Sequence, residues 1–211
     1  MSALISNSPS MTTHSAKSLF DQNIRSAKEC VSMFDGLSNL SVRMNLDWLL
    51  RAAIVFSVSA LDTYFHDKIR YRVGRFSLND LPPQLANLSI PISELVSWDE
   101  ATRKGNVLRN WVTDYLGVRP LQSPNAISEA MKLAGYESVW DRIEPNNQHK
   151  KVLLEKLNSL IKRRNQISHE GDREQSRRSG KRLRTIKRKD VATVIAFIED
   201  LVAKVEHAFP R

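Results

Sequence analysis

Residues Leu153 to Asp172 read L-L-E-K-L-N-S-L-I-K-R-R-N-Q-I-S-H-E-G-D. Leu153, Leu157, Leu160, Arg164 and Ile167 follow steps of three and four, so a helix puts them on one face. The odd member is Arg164, a cation where the pattern has room for another leucine. A guanidinium drawn toward a core needs a partner or a polar cavity. His169 follows five residues later, on the last turn before Gly171, which marks a C-terminal stop. Five steps rotate a helix by about 140° beyond a full turn. Arg164 and His169 therefore meet only along a groove, or across from a second copy of the same helix.

The charge of the chain gathers around this stretch. Lys162 to Lys189 holds twelve Lys and Arg against three acids, which is the whole net charge of +9; the other twenty basic and twenty acidic residues cancel. Such a focused field attracts a polyanion, and nucleic acid is the partner it suits. The competing reading is a solvated basic loop. Arg163, Arg173, Arg177, Arg178, Lys181, Arg182 and Arg184 are the candidate contacts to such a polyanion.

The rest of the chain reads as helices. A helix over Ser15 to Asp35 buries Phe20, Ile24, Ala27, Val31 and Phe34, with Gly36 as its stop. A second runs from Leu46 to Val73. Its first half is apolar on nearly every side, which marks a central helix, and its second half turns basic. Residues 76–104, with L-P-P-Q-L and S-I-P-I, read as extended loop or short turns. Short helices follow from Val107 to Leu116, with Asn106 as cap, and from Ser123-Pro124 to Gly135. A last helix, capped by Asp190, buries Val191, Val194, Ile198, Leu201, Val205 and Phe209. Trp111 and Trp140 are core aromatics, since no basic residues alternate with them. The fold class is all-α: an up-and-down helical bundle with a loop-rich middle segment. One domain is expected over 15–209, behind a flexible tail at 1–14 and with the basic loop 171–189 between its last two helices.

Several classes are excluded or disfavoured. The single cysteine, Cys30, rules out an internal disulfide framework and suits a reducing compartment. No phosphate-loop or dinucleotide motif occurs, nor any Cys cluster or H-E-x-x-H, so neither metal nor cofactor is expected. The amino terminus lacks a secretory pattern. The most apolar window, Trp48 to Leu61, is short for a bilayer and contains Arg51. A cytoplasmic protein without a membrane partner is the expectation.

Arg164-Asn165-Gln166-Ile167-Ser168-His169 resembles the R-x4-6-H motif of the HEPN superfamily, and the run R-N-Q-I-S-H-E-G-D is similar to the RiboL-PSP-HEPN branch. The resemblance spans residues 11 to 209. It implies an all-helical HEPN-type bundle, commonly dimeric, acting as a metal-independent endoribonuclease with Arg164 and His169 as catalytic residues. Ala60 to Tyr64 is similar to the Ala-x-(Glu/Asp)-x-(Tyr/Phe) pattern of HEPN second helices, which makes Asp62 a supporting group beside Asn165. In the bland alternative, Asp62 and His66 form a local helix pair, Arg164 neutralises Asp62 or another acid, and His169 merely caps a helix. Family members are commonly toxins or anti-phage effectors, so an antitoxin or other regulatory protein joins RNA and a second subunit among the expected partners. A non-catalytic HEPN module binding RNA or nucleotide is the alternative function.

Overall fold

The computed structural model describes residues 15–40, 44–102, 104–117, 119–174 and 182–210. The tail at 1–14 and part of the basic loop, with Arg177, Arg178 and Lys181, lie outside the described residues. The first helix, α1 (Ala16–Ser38), starts at a capping box in which Ser15 and Ser18 exchange side-chain and backbone hydrogen bonds. Phe20, Ile24, Ala27 and Val31 are buried along it, as the spacing predicts, with Cys30 beside them, while Phe34 near the helix end is only half-buried. Gly36 is not its stop. Glycine ends a helix when it adopts the left-handed conformation, and Gly36 is not among the residues with positive φ, so the helix runs on to Ser38.

The central helix is α2 (Asp47–Val73), with Leu49, Leu50, Ala53, Ile54, Val58, Leu61, Tyr64, Phe65, Ile69 and Val73 buried; it is not packed all round as its composition suggests, because Phe56, Ser59 and Thr63 form an exposed stripe. Its second half is less solvated than its charges suggest. Lys68 is buried, and its ammonium donates to Glu206 Oε1 at 2.9 Å and to the Phe209 carbonyl at 2.6 Å. Tyr64 donates to the same carboxylate oxygen at 2.7 Å, and burial plus that carboxylate push its phenol pKa far up. By length and mean hydropathy α2 could cross a membrane. Here α1 and the helices Lys104–Leu116, Pro124–Leu133, Asn147–Glu170 and Arg188–Ala208 all pack against it.

The middle segment is more helical than expected. It holds a 3-10 turn (Leu78–Asp80), α3 (Pro83–Ala86) and α4 (Ile92–Glu100). The prolines that argue for loop stand at helix starts: Pro82 and Pro91 as N-caps, and Pro83 in the first turn. A helix start has no intrahelical acceptor for those N–H groups, so their absence costs nothing there. Next comes α5 (Lys104–Leu116), which begins ahead of the expected cap at Asn106. In α6 (Pro124–Leu133) the Ser123 side chain accepts from the Ala126 amide, as expected, and Gly135 takes φ 74° beyond the end. An unforeseen short helix, α7 (Val139–Ile143), buries Trp140, whose indole donates to the Pro124 carbonyl at 3.1 Å. Trp111 is buried too.

The motif helix is α8 (Asn147–Glu170) and the last is α9 (Arg188–Ala208). Lys187 occupies the N-cap position of α9, and Asp190 stands in its first turn instead of capping it. Val194 is only half-buried because Ile195 takes the inner position. Lys28–Glu199 and Arg188–Asp35 run α9 antiparallel to α1. Arg51–Asp172 sets the start of α2 against the end of α8, and Tyr64–Glu206 aligns α2 with α9. Helices α1, α2, α8 and α9 thus form an up-and-down bundle. The fold is all-α, with no strand among the described residues.

Candidate functional site

The end of α8 is shaped by two residues in the left-handed conformation, Gly171 (φ 60°) and Asp172 (φ 57°). Both amides turn back and donate to the Gln166 carbonyl, a Schellman-type closure that satisfies an orphan acceptor. The chain then enters the basic loop through a narrow neck. Arg173 and Leu183 form an antiparallel bridge, Arg184 N–H donates to the Asp172 carbonyl at 2.8 Å, and Glu174 N–H donates to Arg182 at 2.8 Å.

A buried acid holds this neck. Asp172 is 1% exposed, and its carboxylate accepts from Arg51 Nε at 2.6 Å, from Arg163 Nη2 at 3.0 Å and from Arg163 Nη1. Arg51 Nη2 also donates to the Arg184 carbonyl at 2.8 Å, and Arg163 Nη2 reaches the Thr185 carbonyl at 3.5 Å. One carboxylate with two guanidiniums meets the requirement that a buried charge be both paired and hydrogen-bonded. Arg163, expected to contact RNA, is instead committed to Asp172. Arg184, expected in the same role, donates to the Arg173 carbonyl and pairs with Glu170 at 3.7 Å. Arg173 is exposed, and Arg182 is 75% exposed with Glu174 at 3.9 Å, so both present charge to solvent.

Arg164 behaves differently. Leu153, Leu157 and Leu160 continue its stripe into the core, and Ile167 is half-buried beyond it. The Arg164 stem follows that stripe, and its Nε is buried with no hydrogen-bond acceptor. Its Nη1 donates to Asn165 Oδ1 at 3.1 Å, and among the described residues no carboxylate pairs with it. His169 is exposed. No hydrogen bond joins His169 to Arg164 within the chain; five residues of helix separate them by about 7.5 Å of rise.

Asp62 is not part of this constellation. It lies about 16 Å further along α2 than Arg51, by helical rise. Its Oδ1 accepts the Leu121 amide, and His66 Nε2 stands 3.9 Å away. The carboxylate pins the connection between α5 and α6, and the bland pairing of Asp62 with His66 describes it better than a supporting role beside Arg164. Sequence reasoning missed Asp172 and Arg51. A signal existed for each: an acid directly after the glycine stop of a basic helix, and a lone arginine inside an apolar one.

No curated protein and no solved structure matches the chain. A family model does, that of RiboL-PSP-HEPN, over residues 22–209. That span takes in most of α1, the rest of the bundle, the Asp172 neck and the Arg164–His169 stretch, and on this match the chain belongs to the RiboL-PSP-HEPN family.

Proposed function

We propose that the protein is a metal-independent endoribonuclease whose site is completed by two subunits. Membership in a HEPN family supports a nuclease or RNA-related role. The observation that carries the finer reading is the contrast at the end of α8. Arg164 is a guanidinium held by packing and by Asn165 but without a carboxylate among the described residues, beside an exposed histidine and the basic neck.

Ribonucleic acid brings its own nucleophile. A base takes the 2′-OH proton, the 2′ oxygen attacks phosphorus, the bond to the 5′ oxygen breaks, and an acid protonates that leaving oxygen. A cyclic phosphate and a 5′-hydroxyl remain. Histidine suits both proton transfers because its ordinary pKa lies near neutrality. Arginine suits the charge that builds on the phosphate. One chain offers one His169 and one Arg164. Two copies of α8 facing across a two-fold axis offer a base, an acid and two clamps, and an isologous contact has that symmetry. Arg173 and Arg182 at the neck attract the strand. In the cell such an activity acts as a toxin or anti-phage effector held in check by an antitoxin or other regulatory protein.

The test is a hybrid dimer of one wild-type and one His169→Ala subunit, purified through two different tags. General acid–base catalysis is worth about two to four decades, so the hybrid's single-turnover rate on a defined RNA falls far below half. Half activity refutes the shared site. Loss of activity in excess chelator refutes metal independence. RNA binding with no cleavage by the wild type selects a non-catalytic binding module.

A further inference from the structure

A second concave site lies far from the motif. The C-terminal end of α2 and the middle of α5 flank an open cleft of about 520 Å³ lined by Arg70, Tyr71, Arg109, Asn110, Thr113 and Asp114. By helical rise it is about 28 Å along α2 from Arg51 and the basic neck.

The walls are set by a backbone contact. A Cβ on Gly105 would stand 2.2 Å from the Gly74 carbonyl oxygen, so only glycine lets α5 approach α2 this closely. One turn along α5, the Arg109 stem crosses α2 at Gly74, with its Cβ and Cδ each 3.5 Å from where a Gly74 Cβ would stand. Arg70 is one turn before Gly74 on α2. Arg109 has no ion pair or hydrogen bond to its guanidinium among the described residues. Arg70 stacks over the Tyr71 ring at 5.2 Å and pairs through Nη2 with Asp67 at 2.8 Å, while its Nε is buried without an acceptor. Burial pushes the Asp67 carboxyl up, against the opposing pull of Arg70 and His66. Asn110 and the exposed Asp114 complete the rim.

We propose that this cleft binds a small phosphate monoester bearing hydroxyl groups, with the phosphate on Arg70 and Arg109 and the hydroxyls donating to Asp114 and Asn110. The unpaired Arg109 guanidinium, with the Arg70 guanidinium across the cleft, matches a phosphate's acceptors. The carboxylate on the rim favours hydroxyl donors and repels the next phosphate of a polymer, which separates this site from an RNA groove. The volume lies in the range of small-ligand clefts.

Calorimetry on the full chain with ribose 5-phosphate, inorganic phosphate and ribose tests it. Ribose 5-phosphate binds, inorganic phosphate binds on the order of tenfold more weakly, and ribose alone gives no heat, since a hydrogen bond to a charged group is worth about one decade. Arg109→Gln weakens ribose 5-phosphate by on the order of tenfold or more. Asp114→Asn, on the exposed rim, leaves inorganic phosphate unchanged and removes much of the advantage of the sugar; it serves where Arg109→Gln does not fold. Equal affinity of wild type and Arg109→Gln, or no saturable binding of ribose 5-phosphate at millimolar concentration, overturns the proposal. So does an Arg109→Gln that weakens a short RNA and not ribose 5-phosphate, because the cleft would then be an RNA contact.

Discussion

Arg163 and Arg164 are adjacent on α8 and point about 100° apart. Arg163 turns toward α2 and finds Asp172, which it shares with Arg51, and the Thr185 carbonyl. Arg164 follows the leucine stripe and finds Asn165 and no acid. The first arginine is structural, because a buried carboxylate without its cations is far costlier than the pair. The second keeps its charge with no carboxylate beside it among the described residues. The comparison teaches that the number of arginines in a basic stretch says little about ligand binding until their carboxylates are accounted for.

The sharpest way to break this comparison is to remove each arginine in turn. Arg164→Ala is expected to lower the single-turnover rate on RNA by about two to three decades, as loss of a transition-state charge stabiliser does, with the melting temperature nearly unchanged. Arg163→Ala is expected to do the reverse: a lower melting temperature, and cleavage retained at temperatures where the protein stays folded. Equal effects of both variants on rate and stability would erase the distinction.

Removing the acid addresses the other half. Asp172→Ala leaves Arg51 and Arg163 facing each other without a counter-charge. A loss of about 3 kcal/mol is expected, or a Tm lower by about 6–12 °C for a chain of this size. A Tm within a degree or so of wild type would mean that the neck does not depend on this cluster.

A smaller effect is expected at the rim. Arg173→Gln with Arg182→Gln should leave folding intact and flatten the salt dependence of RNA binding by about 0.7 in log–log slope for each lost contact to a single strand. An unchanged slope would make the neck arginines bystanders.

The smallest effect belongs to Arg188–Asp35, an exposed pair that joins α1 to α9. The Arg188 guanidinium donates to Asp35 and holds its carboxyl below the usual range. A carboxyl depressed in the folded state contributes stability above its unfolded pKa and loses it as pH falls through the folded one. Denaturant midpoints of wild type and Asp35→Asn should therefore differ slightly at neutral pH and converge in acid. A gap that persists in acid would point to a cause other than the ion pair.

Much of this molecule is legible in the amino-acid order alone. The all-α class, the stripes of α1 and α8, the central position of α2, the Ser123 cap and the Gly171 stop each follow from rules acting over one or two turns, where neighbours in sequence are neighbours in space. The R-x4-H stretch and its surrounding charge were readable for the same reason. What only the tertiary structure decided is which charges find partners. Asp172 and Arg51 are separated by 121 residues, Lys68 and Glu206 by 138, and no local pattern joins them. The helices at Ile92–Glu100 and Val139–Ile143 also needed the fold, since their proline signals or short lengths are ambiguous until packing buries one face. Pairing across the bundle depends on how α2 and α8 cross. That crossing is the physical reason Arg163 became part of the scaffold while Arg164, one residue on, did not.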